Sequence, residues 1–126
     1  MPSHIHLIMG TKGEKMQDIL RDLKSYTSRK IKEQISNYPK ESRREWMQWM
    51  FQRAGAKNGN NKDWQLWQQH NHPIVLSSNT MIDQKLEYLH YNPVVAGYVE
   101  SPEHWLYSSA RNYFGKEGLL EIEHGY

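Results

Sequence analysis

Two histidines one residue apart, His4 and His6, stand in the stretch SHIHLIM at residues 3–9. In an extended chain residues i and i+2 share a face, so both imidazoles point the same way and can bind one divalent ion. Ile5, Leu7 and Met9 fall on the opposite face, where burial would hold the pair still. Taken alone, the tripeptide reads more readily as two exposed histidines, since such pairs arise often by accident. A second pair, His70 and His72, lies between Gln68-Gln69 and Pro73, where no regular pleat is imposed, and ranks behind the first. Tyr88 and Asn92 are four residues apart in a segment of helical spacing. With Ile82 at zero and about 100° per residue, Leu86 and Leu89 define the buried stripe and Tyr88 and Asn92 share its flank. Tyr91 faces the opposite way. A phenol so placed can serve as a nucleophile, and a carboxamide one turn on can offer its oxygen to a metal. The plainer reading is a packing tyrosine followed by a helix-ending asparagine.

The elements that must position these groups are legible in outline. Residues 3–9 alternate as a short strand. Gly10 and Gly13 bracket a turn, and Thr11 with Glu14 suggests a capping box. Met16, Ile19, Leu20, Leu23, Thr27, Ile31 and Ile35 then recur at three- and four-residue steps, which predicts an amphipathic helix over about 14–36. Its polar face carries Arg21, Lys24, Arg29, Lys30 and Lys32. Pro39 interrupts. Ser42 and Glu45 suggest a second capping box before a short helix bearing Trp46, Met47, Trp49, Met50 and Phe51. Residues 54–63, rich in Gly, Asn and Lys, read as an exposed loop. WQLWQQHNHPIVL at 64–76 reads as one or two strands broken at Pro73. Thr80 and Asp83 open a helix over about 80–92 that Pro93 is expected to end near Asn92. NPVVAG reads as a turn, SPEHWLYSSARNYFG as a short helix or irregular segment, and LLEIE as a last strand. Strands and helices alternating at such short connections predict an α+β fold, a small sheet with helices on one side.

Composition bounds the rest. The 126 residues fit one small domain spanning 1–126. The chain has no Cys, which excludes a disulfide scaffold, a zinc ribbon and a thiol nucleophile. No apolar run reaches the roughly 18 residues of a membrane span, and the mean hydropathy is −0.91. A cytoplasmic protein without a membrane partner is therefore expected. The small net charge of +2 hides an asymmetry: residues 1–63 hold 13 Lys+Arg and 7 Asp+Glu, residues 64–126 hold 3 and 7. A basic half interleaved with aromatics suits a phosphate-rich partner, although solvated helix faces are often basic too.

Together these features carry a resemblance. MPSHIHLIM resembles the histidine–hydrophobic–histidine (HUH) segment of single-tyrosine transposases. KLEYLHYNPVVAGYV followed by WLYSSARNY is similar to the Y-x-x-x-N-P-V-x-A-G-x-V and W-x-Y-S-S-A-x-x-Y blocks of their REP-associated branch. The resemblance runs from Met1 to about Tyr113. It implies a ferredoxin-like antiparallel sheet with helices packed on it, and a DNA-processing activity. It places His4 and His6 on the family's metal-binding histidines, Asn92 on its amide ligand and Tyr88 on its nucleophile, with Mg²⁺ or Mn²⁺ as the metal. The reaction implied is attack of the tyrosine on DNA to leave a 5′-phosphotyrosine and a free 3′-OH, and the substrate is single-stranded or hairpin DNA. A free phenol titrates near about 10, so such a nucleophile needs the cation or a nearby base, and the sequence identifies no base.

The basic face of the 14–36 helix would meet phosphates, and Trp46, Trp49, Trp64 or Trp67 could stack on bases, though tryptophans at helical spacing more often fill a core. The family's first strands precede its HUH segment, whereas here the pair opens the chain. Either an internal Met was taken as the start, or a second copy supplies the strands in a homodimer. Two other functions remain open: a catalytically inactive, truncated remnant that acts at most as a nucleic-acid-binding module, and a metal-dependent nuclease that uses water instead of Tyr88.

Overall fold

Four helices and one 3₁₀ turn account for the regular structure of the chain, whose computed structural model describes residues 3–61 and 63–123. Met1, Pro2, Lys62 and residues 124–126 lie outside the described residues. The chain divides into two compact units: residues 10–73, and residues 74–126 together with 1–9.

The 10–73 unit is a helical hairpin with a strap. Helix α1 spans Met16–Asn37 and helix α2 spans Arg44–Ala56. The apolar stripe of α1 (Met16, Ile19, Leu20, Leu23, Ile35) is half-buried, as its three- and four-residue spacing requires. Neither expected capping box forms. Gly13 adopts a positive φ of 122° and the helix starts after Lys15, which makes no side-chain cap. At α2 the Glu41 carboxylate accepts from the Arg43 amide at 2.9 Å, so the residue before Ser42 satisfies the free N–H. Tyr38 leaves the helical region because Pro39 follows it, and its carbonyl accepts from the Arg44 guanidinium.

Gly55 sits inside α2 against residues 64–67: a Cβ there would lie 2.5 Å from the Trp64 backbone nitrogen. That close approach lets Gln65 N–H donate to Phe51 C=O at 3.0 Å and brings the Phe51 and Trp64 rings to 4.8 Å. The strap is fastened to α1 as well, by Trp67 Nε1 donating to Thr27 Oγ1 at 2.9 Å and Lys24 Nζ donating to Gln68 C=O at 2.9 Å.

The other unit is built on helix α3, Asn79–Val95. Its N-cap is Ser78, whose hydroxyl accepts from Met81 N–H at 3.2 Å, two residues before the expected Thr80 start. The helix also outlasts Pro93. A proline removes its own N–H and crowds the carbonyl four residues back, and here Val94 and Val95 still follow it in the helix. The helix end closes in a Schellman arrangement: Tyr98 N–H donates to Pro93 C=O, Gly97 N–H to Val94 C=O, and Gly97 takes the left-handed φ of 76°. A 3₁₀ turn at Pro102–His104 and helix α4, Ala110–Tyr113, pack beside α3. His90 on α3 is buried and meets Ser109 at the start of α4, with Nε2 and Oγ 2.9 Å apart. The Tyr98 and Trp105 rings add a contact at 5.7 Å.

The expected α+β fold with a ferredoxin-like antiparallel sheet is not formed. The described residues are about half helix and contain no sheet, only an isolated bridge between Asn58 and Asn61. Residues 3–9, 64–76 and 119–123, expected as strands, are neither helix nor strand. An alternating pattern states which face a strand would show, and ladder hydrogen bonds require a partner that the pattern does not specify. Without a sheet to cover them, Ile5, Leu7, Ile74 and Val75 stand exposed, Val75 at 84 %. Ala110 is the one fully buried apolar side chain among the described residues. No helix among the described residues is long and apolar enough to cross a membrane.

Candidate functional site: a histidine pair beside Tyr88

The residues singled out by type and spacing meet within the α3 unit. His4 and His6, though not in a strand, keep the common side expected of i and i+2, with ring centroids 4.9 Å apart and nearly perpendicular. Tyr88 and Asn92 stand one turn apart on α3, as the helical projection required. His6 bridges the two pairs. Its Nε2 lies 3.0 Å from Asn92 Nδ2, and its ring meets the Tyr88 ring edge-on at 5.7 Å. Tyr88 is 60 % exposed, so its hydroxyl is open to a large substrate.

Local contacts set the chemistry of the imidazoles. Ser3 Oγ lies 3.2 Å from His4 Nδ1, which leaves His4 Nε2 for a second partner. Desolvation, and then the neighbouring His4, lower the pKa of His6, which favours its neutral ring. A neutral ring can accept the Asn92 amide N–H at Nε2, and the same lone pair is what a metal would take. Turning the Asn92 amide over would present its oxygen to the same point. Two imidazole nitrogens and one amide oxygen therefore fit a divalent cation, and imidazole donors suit Mn²⁺ better than Mg²⁺. Among the described residues no group of three or more His, Cys, Asp or Glu could hold a metal, so the amide is needed to complete this set.

The second pair, His70 and His72, has its rings 6.4 Å apart in the other unit, with His72 at a positive φ of 48°, and no third His, Cys, Asp or Glu joins it among the described residues. Tyr91 is exposed and does not join the His6 cluster.

The five cations predicted to meet phosphate all lie on α1, and most have partners. Arg21 pairs with Asp18 at 2.6 Å and Asp22 at 2.9 Å, and Lys30 with Glu33 at 3.2 Å. Lys24 holds the strap, and Lys32 lies 5.3 Å from the centroid of the Trp64 ring. Arg29 has no such partner among the described residues. Of the tryptophans, Trp64 packs between Phe51 and Lys32, Trp49 lies under Arg53, and Trp46 is exposed.

Sequence reasoning missed Ser3, the Ser109 partner of His90 and the Thr27 partner of Trp67. The SS pair at 108–109 and the Thr inside the apolar stripe of α1 were the available signals. Comparison of the chain with protein-family models, with curated proteins and with solved structures finds no match.

Proposed function

We propose that the chain is a metal-dependent single-stranded DNA transesterase that cuts and rejoins DNA through Tyr88, a transposase chemistry. The observation that carries this reading is the convergence of His4, His6 and Asn92 beside an exposed tyrosine, on two segments 82 residues and more apart in the chain.

His4, His6 and Asn92 would hold Mn²⁺ or Mg²⁺, which when bound polarises the scissile phosphate and offsets charge on its oxygens. The chain's own residues do the rest. Tyr88 Oη attacks phosphorus, an Oη–P bond forms and the P–O3′ bond breaks. The phenolic proton passes to solvent and the departing 3′-oxygen takes one from water. The product is a 5′-phosphotyrosine and a free 3′-OH, and because one phosphodiester replaces another, rejoining needs no nucleotide triphosphate. His6 Nε2 faces Asn92 at 3.0 Å, and Asn92 one turn from Tyr88 holds the two in register. Single-stranded or hairpin DNA is the substrate that the resemblance implies.

One observation favours the second reading, a nucleic-acid-binding module without chemistry. No backbone hydrogen bond among the described residues holds residues 3–10, so the histidine pair rests on side-chain contacts alone.

Incubation with labelled hairpin DNA and Mn²⁺, read on a denaturing gel, separates the two. A covalent protein–DNA species that disappears with EDTA and with Tyr88→Phe is expected. DNA binding by folded protein with no adduct at any Mn²⁺ or Mg²⁺ concentration would refute the transesterase and leave the module.

A further inference from the structure

A cavity lies within the helical-hairpin unit. It is a cleft of about 680 Å³ between one face of α1 and residues 60–61 and 64–70 of the strap. Arg21, Lys24, Arg29 and Lys32 line its α1 wall, spaced so that one helix face presents all four. Among the described residues no carboxylate lines it. The facing wall brings the indole of Trp67, fixed at its nitrogen by Thr27, and the carboxamides of Gln68, Gln69, Asn60 and Asn61, which have no side-chain partner among the described residues.

We propose that this cleft is a binding groove for a short stretch of single-stranded nucleic acid, built from other residues than the Tyr88 cluster. Four cations on one wall supply phosphate attraction. An acidic peptide would ask for no more than those cations. Carboxamides with free donors and acceptors, beside an anchored indole face, match what an unpaired base offers: polar edges and a π-surface. A duplex hides both, and its bases could not reach the amides inside a cleft. Arg29 contributes most to the attraction because it alone of the four has no intramolecular partner. Arg21 is already paired with two aspartates, Lys24 with Gln68 C=O and Lys32 with the Trp64 face. This inference deepens the strand-transfer reading, on which it rests for the identity of the polymer as DNA.

The test uses the full chain and a short fluorescent single-stranded oligonucleotide, with anisotropy measured across a salt series. If all four cations meet phosphate, log K falls with log salt at a slope of about −2.8, a loss of about 50-fold between 50 and 200 mM. Arg29→Ala should lower the slope by about 0.7 and weaken binding at low salt several-fold, as an exposed substitution that leaves the circular dichroism unchanged. Gln69→Ala should weaken oligonucleotide binding while leaving binding of inorganic polyphosphate unchanged. Tyr88→Phe should leave both affinity and slope alone.

Unchanged affinity and slope in Arg29→Ala would overturn the groove, even if the Tyr88 adduct forms. Equal binding of polyphosphate and oligonucleotide, or a duplex bound as tightly as the single strand, would overturn it too. Oligonucleotide binding that depends on Arg29 and Gln69, with no adduct under any metal, would uphold the groove and sink the transesterase.

Discussion

The two units differ in charge and in which candidate residues they hold. The helical hairpin of residues 10–73 holds 13 of the 16 Lys+Arg against 7 Asp+Glu. The α3 unit holds the remaining 3 against 7, together with every residue of the histidine–tyrosine cluster. Their internal construction differs in the same way. In the hairpin, the strap is bound to helices by backbone and long-chain contacts that leave a cleft between them. In the α3 unit, a Schellman-capped helix with a buried histidine fixes one side chain of each kind at one helical turn. The first arrangement suits a polymer held at many weak points; the second suits one reacting atom. A charge count taken over the whole chain, +2, shows neither.

Substitutions can break this division, and the largest effect belongs to the reacting atom. Tyr88→Phe should reduce the protein–DNA adduct to background while the salt-dependent affinity stays at the wild-type value, measured by gel and anisotropy on the same preparation. A parallel loss of affinity would mean that the two units do not act as separate parts.

Next in size is a change confined to the hairpin. Gly55→Ala would drive a Cβ to 2.5 Å from the Trp64 backbone, a rigid neighbour, and should destabilise that unit by about 1–3 kcal/mol. Urea unfolding followed through tryptophan fluorescence checks it. Four of the five tryptophans lie in the hairpin and Trp105 in the α3 unit, so Trp105→Phe isolates the hairpin signal. A smaller loss, about 1 kcal/mol, is expected for Thr27→Val, which removes the acceptor of the Trp67 N–H while keeping the shape of the side chain.

The pH dependence sharpens the contrast further. Burial lowers the pKa of His90 in the α3 unit, so its folded state favours the neutral ring. The stability it contributes is full above about pH 6.5 and is lost as pH falls through the lower folded value. In the hairpin the shifted carboxylate is Glu41, lowered first by its backbone hydrogen bond from Arg43, and its contribution is lost only below pH 4.5. Thermal melts stepped down in pH should therefore weaken the α3 unit, read at Trp105, before the hairpin. The opposite order would contradict the burial of His90.

Much of the local structure was legible because its causes are local. The spacing of Met16, Ile19, Leu20 and Leu23 located α1 to within two residues at its start, and the projection of Tyr88 and Asn92 onto one flank of α3 held. Helix ends were less legible. Several Ser, Thr, Asp and Glu residues compete for the same free N–H groups, and Ser78 and Glu41 won over Thr80 and Ser42 through backbone geometry. Pro93 misled because a proline removes its own N–H···O bond and crowds the carbonyl four residues back, whereas the bonds that close the end of α3 are donated by Ala96, Gly97 and Tyr98 after it.

What the sequence determined by itself is the inventory and its periodicities: an i, i+2 histidine pair, an i, i+4 tyrosine and asparagine, and a basic helix face. These follow from side-chain identity and the fixed geometry of short stretches of backbone. Only the tertiary structure decided that His6 reaches Asn92 and Tyr88 across more than 80 residues, that α1 shares its basic face with the strap, and that the alternating segments form no sheet. Each of these is a pairing between distant segments. A pattern specifies the face a segment offers, while the partner depends on which loop closures and burial the whole chain can satisfy together.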